Sequence, residues 1–162
     1  MEERIYSYDP VADENSRLLI LGTMPSVESL RRGFYYAHPR NAFWPIMSRI
    51  LGENRPESIE EKKAMLLRHG VALWDCAHSC LRKGSLDADM REVILSDVPA
   101  LLAAHPGIRR VFLNGGEAFR LYGRMGSPLP GTRLPSTSPA YTLPFDQKLA
   151  LWQDALKEEI IP

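Results

Sequence analysis

Four short apolar runs divide the chain, each bounded by turn-forming residues. They are Leu18–Leu21 closed by Gly22, Val71–Trp74 entered through Gly70, Ile108–Leu113 closed by Asn114-Gly115-Gly116, and Thr132–Leu134 closed by Pro135. Continuously apolar strands of this length suit a parallel sheet covered on both faces. Helical patterns fall between them. Phe43, Trp44, Met47, Ile50 and Leu51 recur at helical spacing after Asn41 and stop at Gly52. Glu57–His69 reads as a helix with an acidic start and a basic end before Gly70. Shorter helices are predicted over Asp87–Leu95, Asp97–Ala104 and Gly116–Tyr122. Phe145, Leu149, Trp152, Leu156 and Ile160 form an apolar stripe on a C-terminal helix. Strands alternating with helices predict an α/β fold, a three-layer α/β/α sandwich forming one domain over residues 1–162.

Composition narrows the class. The 162 residues are 44% apolar and 25% charged, as in ordinary globular proteins. No apolar run approaches the roughly 18 residues needed to span a bilayer, so no membrane partner is expected. The opening Met1-Glu2-Glu3-Arg4 is acidic and has no apolar signal core, which predicts a cytoplasmic protein. The two cysteines, Cys76 and Cys80, exclude a disulfide framework and a four-cysteine metal centre within this chain. Cys76-x-His78-x-Cys80 contains ligand types, but no distant cluster completes a site, and no metal is expected. The formal net charge is zero. It is unevenly spread, for residues 17–145 carry 17 basic and 11 acidic side chains, a net +6. A field of that sign is compatible with a phosphate backbone.

In sheets of this kind ligands bind beyond the carboxyl ends of the strands. Those ends are Gly22-Thr23-Met24-Pro25-Ser26, Asp75-Cys76, Asn114-Gly115-Gly116 and Pro135-Ser136-Thr137-Ser138-Pro139. None is a dinucleotide fingerprint, a P-loop or a serine-hydrolase elbow. The segment Gly33–Trp44 concentrates aromatics with His38, Arg40 and Asn41 just before a helix. An aromatic there can stack on a base and an arginine can hold a phosphate. Asn41 also fits a helix N-cap, and Tyr36 also fits core packing.

Three segments carry a resemblance. Leu19-Ile20-Leu21-Gly22-Thr23-Met24-Pro25-Ser26, His38-Pro39-Arg40-Asn41-Ala42-Phe43-Trp44 and Leu134-Pro135-Ser136-Thr137-Ser138-Pro139-Ala140 resemble, in order and spacing, the uracil-DNA glycosylase superfamily and its hypoxanthine-DNA glycosylase branch. Mismatch-specific uracil/thymine glycosylases are similar across Gly33–Trp44. The resemblance implies a central four-stranded parallel sheet, no cofactor, and hydrolysis of the N-glycosidic bond of a deaminated base flipped from duplex DNA. A monomer is expected.

The same resemblance distributes roles. Gly22, Thr23, Met24 and Pro25 line the base and water site. Many relatives have Asp or Asn where Met24 stands, and Met24 cannot hold water, so Asn41 is the candidate that positions it. Tyr36 stacks on the flipped base, Asp75 reads its edge by accepting from a ring N–H or donating when protonated, and Asn114 joins the base site. Ser136 stabilises the leaving group. Ser26, His38, Arg40, Ser85, Thr137 and Ser138 contact DNA, while Pro139, Ala140 and Tyr141 enter the gap left by the flipped nucleotide. No lysine lies in these motifs to form a Schiff base, so hydrolysis without strand cleavage is expected. Met24 and Ser136 keep a second reading open, a non-catalytic DNA-damage or nucleotide-binding module. A third is a nucleotide or sugar-phosphate enzyme of generic α/β type.

Overall fold

Every residue of the strand Leu18–Gly22 is buried, and side-chain alternation explains how. Leu18 and Ile20 enter one apolar cluster, whereas Leu19 and Leu21 enter another. A strand buried on both faces needs a layer on each side. The computed structural model describes residues 3–162 and contains both layers. Met1 and Glu2, which open the acidic N-terminal stretch, lie outside the described residues.

In chain order the elements are β1 (Arg4–Tyr6), β2 (Leu18–Gly22), α1 (Val27–Arg32), α2 (Phe43–Leu51), α3 (Ile59–Arg68), β3 (Val71–Asp75) and β4 (Ala77–Leu81). A 3₁₀ turn (Asp87–Asp89) leads into β5 (Arg91–Leu95), α4 (Val98–Ala104), β6 (Arg110–Asn114), α5 (Gly116–Tyr122), β7 (Gly131–Leu134) and α6 (Phe145–Leu156). Four parallel strands form the central sheet in the order β3-β2-β6-β7. Phe43, Ile46 and Met47 of α2, Met65 and Leu66 of α3, and Trp152 and Leu156 of α6 fill one cluster. Val98, Leu101 and Leu102 of α4, with Ala118 and Leu121 of α5, fill the other. The expected three-layer α/β/α arrangement is therefore present. Register brings the strand ends together: Gly22 lies opposite Asp75, and Asn114 lies opposite Leu134.

A second, antiparallel sheet, β1-β4-β5, was not foreseen. The helix predicted over Asp87–Leu95 is instead the 3₁₀ turn followed by β5. Val93 and Leu95 are half-buried while Glu92 and Ile94 are exposed, an alternation of two that belongs to a strand. Pairing with β4 satisfies the backbone, and Glu92 takes a positive φ of 49° at an irregularity of that pairing. The remaining differences are at ends. The C-terminal helix stops at Leu156, leaving Ile160 to pack from the tail. The helix predicted over Glu57–His69 starts at Ile59, capped by the Ser58 hydroxyl accepting from Glu61 N at 3.0 Å. Asn41 lies one residue before the cap position of α2, which Ala42 occupies.

The segment after β1 crosses the end of β3. Ser7 N donates to His78 O at 2.9 Å, Trp74 Nε1 donates to Tyr8 O at 2.9 Å, and Val11 pairs antiparallel with Leu73. Among the described residues no helix is long and apolar enough to cross a membrane.

Candidate functional site: a cavity at the strand ends

The carboxyl ends of the central strands open into a cavity of about 320 Å³, the lower range for small-molecule sites. Gly22, Thr23, Met24, Pro25 and Ser26 line it after β2, Asp75 after β3, Asn114 after β6, and Ser136, Thr137, Ser138, Ala140 and Tyr141 after β7. Tyr36 and Asn41 contribute from the loop between α1 and α2, and Ser85, Leu86 and Asp87 from the turn before β5. Met24 and Asn41, distant from one another in the chain, thus face a common hollow.

Gly22 is small because its neighbours require it. A Cβ there would collide with the Tyr36 hydroxyl and come within 2.6 Å of Asp75 Oδ1. Backbone bonds fix the turn that follows: Cys76 N donates to Gly22 O at 2.8 Å and Ala77 N to Thr23 O at 3.0 Å. The Ser26 hydroxyl caps α1 by accepting from Ser29 N at 3.1 Å. Ser85 Oγ accepts from Val27 N at 2.9 Å, which ties the loop before β5 to the same helix start.

Tyr36 has a positive φ of 54°, uncommon for a bulky side chain. Its ring stacks on Phe43 with centroids 4.3 Å apart, and its hydroxyl is buried with no hydrogen-bond partner of good geometry. Burial and the charge of Asp75 push its pKa well up, and the Asn114 side chain acts the other way. Asn41 Oδ1 accepts from Phe43 N at 2.9 Å. That bond fixes the amide plane, and the oxygen keeps a second lone pair. The capping alternative for Asn41 is therefore partly realised by the same contact.

Asp75 is 2% exposed. Desolvation pushes its pKa up to about 7, aided by the charge of Asp87 and opposed by a hydrogen bond from Ser7 and the charge of Arg82. Ser7 Oγ donates to Asp75 Oδ2 at 2.6 Å. Asp87 lies at the accessible edge of the cavity. Desolvation raises its pKa, while a hydrogen bond from Thr23 lowers it.

The loop after β7 is held from within. Asn114 Nδ2 donates to Thr137 Oγ1 and Asn114 Oδ1 accepts from Thr137 N, both at 3.0 Å. Thr137 is 1% exposed, so its side chain anchors the loop and does not face solvent. Ala42 N donates to Thr137 O at 2.9 Å, joining this loop directly to the Asn41 segment. Ser136 Oγ accepts from Ser138 N at 3.1 Å, and Ser138 Oγ accepts from Ala140 N at 3.2 Å. Lys148, only 4% exposed, donates to Ser138 O at 3.1 Å and lies 5.4 Å from the Tyr141 ring centroid. Burial lowers its pKa. Trp152 Nε1 donates to Pro135 O at 2.8 Å.

Some expected residues lie outside the cavity lining. His38 Nδ1 accepts from Arg40 N at 3.0 Å within a turn, and the Arg40 and Pro139 side chains are exposed. Cys76 and Cys80 are buried while His78 is exposed, and among the described residues no group of three potential ligands could hold a metal. Ser7, Leu86, Asp87 and Lys148 escaped the sequence analysis. Lys148 alone left a signal, a charge three residues after Phe145 and four before Trp152 on an apolar face.

Known proteins are similar to this chain in sequence and fold. A curated hypoxanthine DNA glycosylase from Methanosarcina acetivorans is 37% identical over 112 residues, 68% of this chain and 71% of that protein. Another, from Methanosarcina barkeri, is 31% identical over the same shares. A solution NMR structure from Methanosarcina acetivorans, provisionally described as a uracil DNA glycosylase, superposes with a TM-score of 0.83 at 28% identity. That superposition covers 96% of this chain and 98% of the other. The family model described as the uracil DNA glycosylase superfamily matches residues 10–158, and the chain belongs to that superfamily.

Proposed function

We propose that this DNA glycosylase removes hypoxanthine from duplex DNA by hydrolysing the N-glycosidic bond of a flipped deoxyinosine. The observation that carries this reading is the single cavity shared by Asn41, Tyr36, Asp75 and the Met24 turn. The names of the two curated relatives support hypoxanthine over uracil. Breaking the bond builds positive charge on the sugar and negative charge on the departing base. A water held on the free lone pair of Asn41 Oδ1 meets the sugar carbon with little entropic cost. The amide orients this water but is no effective base, so bond breaking leads, water capture by the sugar cation follows, and the water's proton passes to the departed base anion. Phe43 stacks on one face of the Tyr36 ring, and in this scheme the base stacks on the other.

Asp75 accepts from the purine N1–H when ionised, or donates to the carbonyl oxygen when protonated. Ser136 offers a hydroxyl to the base, and the Ser138 turn meets a phosphate. Tyr141, 48% exposed at the rim, fills the vacated stack. A monomeric cytoplasmic enzyme is consistent with this scheme.

Base release from duplexes carrying deoxyinosine, deoxyuridine, deoxyxanthosine or a mispaired thymine tests the proposal. Free hypoxanthine should appear fastest, with the strand intact until alkali is added. Folded protein that retains the inosine duplex and releases no base would establish the binding-module reading instead.

A further inference from the structure

The carboxyl of Asp75 is held from behind by a residue outside all three motifs. Ser7 Oγ donates to Asp75 Oδ2 at 2.6 Å, while Asp75 Oδ1 stands over Gly22 at the cavity wall. Ser7 is itself fixed. Its N–H is bonded to His78 O at 2.9 Å, and the next residue, Tyr8, accepts from Trp74 Nε1 at 2.9 Å. The Tyr8 hydroxyl in turn donates to Ser29 O at 2.6 Å. The N-terminal segment is thereby registered against β3, the strand that ends in Asp75. With 2% exposure, the carboxyl has little room to rotate.

We propose that Ser7 is a positioning residue for base recognition: its hydroxyl occupies the outer oxygen of Asp75, so that the inner oxygen alone is presented to the flipped base. This rests on the function proposed above. One oxygen presented at one place reads a single ring position, whereas a freely turning carboxyl offers either of two. The same bond favours the ionised carboxyl. Arg82 acts in the same direction and Asp87 against it, and the neutral Tyr8, Tyr35, Tyr36 and Cys76 complete the surroundings.

Two measurements test the role. Carbon-13 carboxyl NMR of the free protein reads Asp75 directly. In Ser7→Ala its titration midpoint should rise by about one pH unit, as expected for losing one hydrogen bond to a charged group. Ser7→Thr, which keeps the hydroxyl, should restore it and serves if the alanine variant folds poorly. Single-turnover release from a deoxyinosine duplex should slow by about tenfold in Ser7→Ala and move its pH profile by the same amount as the titration. Affinity for a duplex with an abasic-site analogue should stay unchanged. An Asp75 midpoint that does not move in Ser7→Ala overturns the proposal, and so does a moved midpoint with unaltered release. Wild-type protein that releases no hypoxanthine overturns the underlying function, and the NMR titration separates that result from a failure of the Ser7–Asp75 contact.

Discussion

Tyr36 and Asn41 each carry a local cost or constraint. A non-glycine residue in the left-handed region costs roughly 1–3 kcal/mol, and a buried hydroxyl without a partner adds to that. The Asn41 side chain accepts one backbone bond, from Phe43 N. Asn41→Ala should therefore reduce hypoxanthine release by about a hundredfold or more while inosine-duplex affinity changes little. Unchanged turnover would leave Asn41 as a cap and nothing else. Asp75 makes stability depend on pH. Its pKa is raised from 3.8 to about 7 in the fold, so the folded state binds the proton more tightly than the unfolded chain. The resulting stabilisation is full below about pH 4 and is lost as pH rises toward 7, an effect on the order of a few kcal/mol. Chemical denaturation should find Asp75→Asn close to wild type at pH 4 and more stable at pH 8. A gap independent of pH would contradict the burial argument.

At the level of elements, α6 does two jobs. Its inward row of Lys148, Trp152 and Leu156 closes the core and also grips the loop after β7. Lys148→Met keeps most of the volume and loses the bond to the Ser138 carbonyl. Hydrogen exchange over residues 136–141 should quicken, and affinity for the inosine duplex should fall by a few fold to about tenfold. Protection unchanged from wild type would remove the lysine from the loop's support. These elements also show what could be read in advance. The central strands were legible because Leu18–Leu21 and its partners are apolar on both faces and end in glycine, proline or asparagine. The ordered motifs at those ends located the cavity. Arg91–Leu95 misled because its short mixed pattern fits either period until β4 lies beside it. The Arg4–Tyr6 strand and Ser7 were illegible for a related reason. Polar residues in an extended segment acquire meaning only through a partner more than sixty residues away.

For the molecule as a whole, zero net charge conceals a basic middle flanked by acidic ends. Attraction to DNA should then be modest and screened. Affinity for undamaged duplex, measured by fluorescence anisotropy between about 50 and 200 mM salt, should fall with a log–log slope near 0.9 per phosphate contacted. A flat response would place the lesion pocket, and not the phosphate backbone, in charge of binding. Finally, the completely buried β2 sits between β3 and β6, with β7 beyond. The four loops that meet above these strands come from points spread along most of the polypeptide. No fragment, nascent chain or half-unfolded copy can therefore assemble the hollow. Chemistry capable of stripping bases from a genome is withheld until folding is essentially finished.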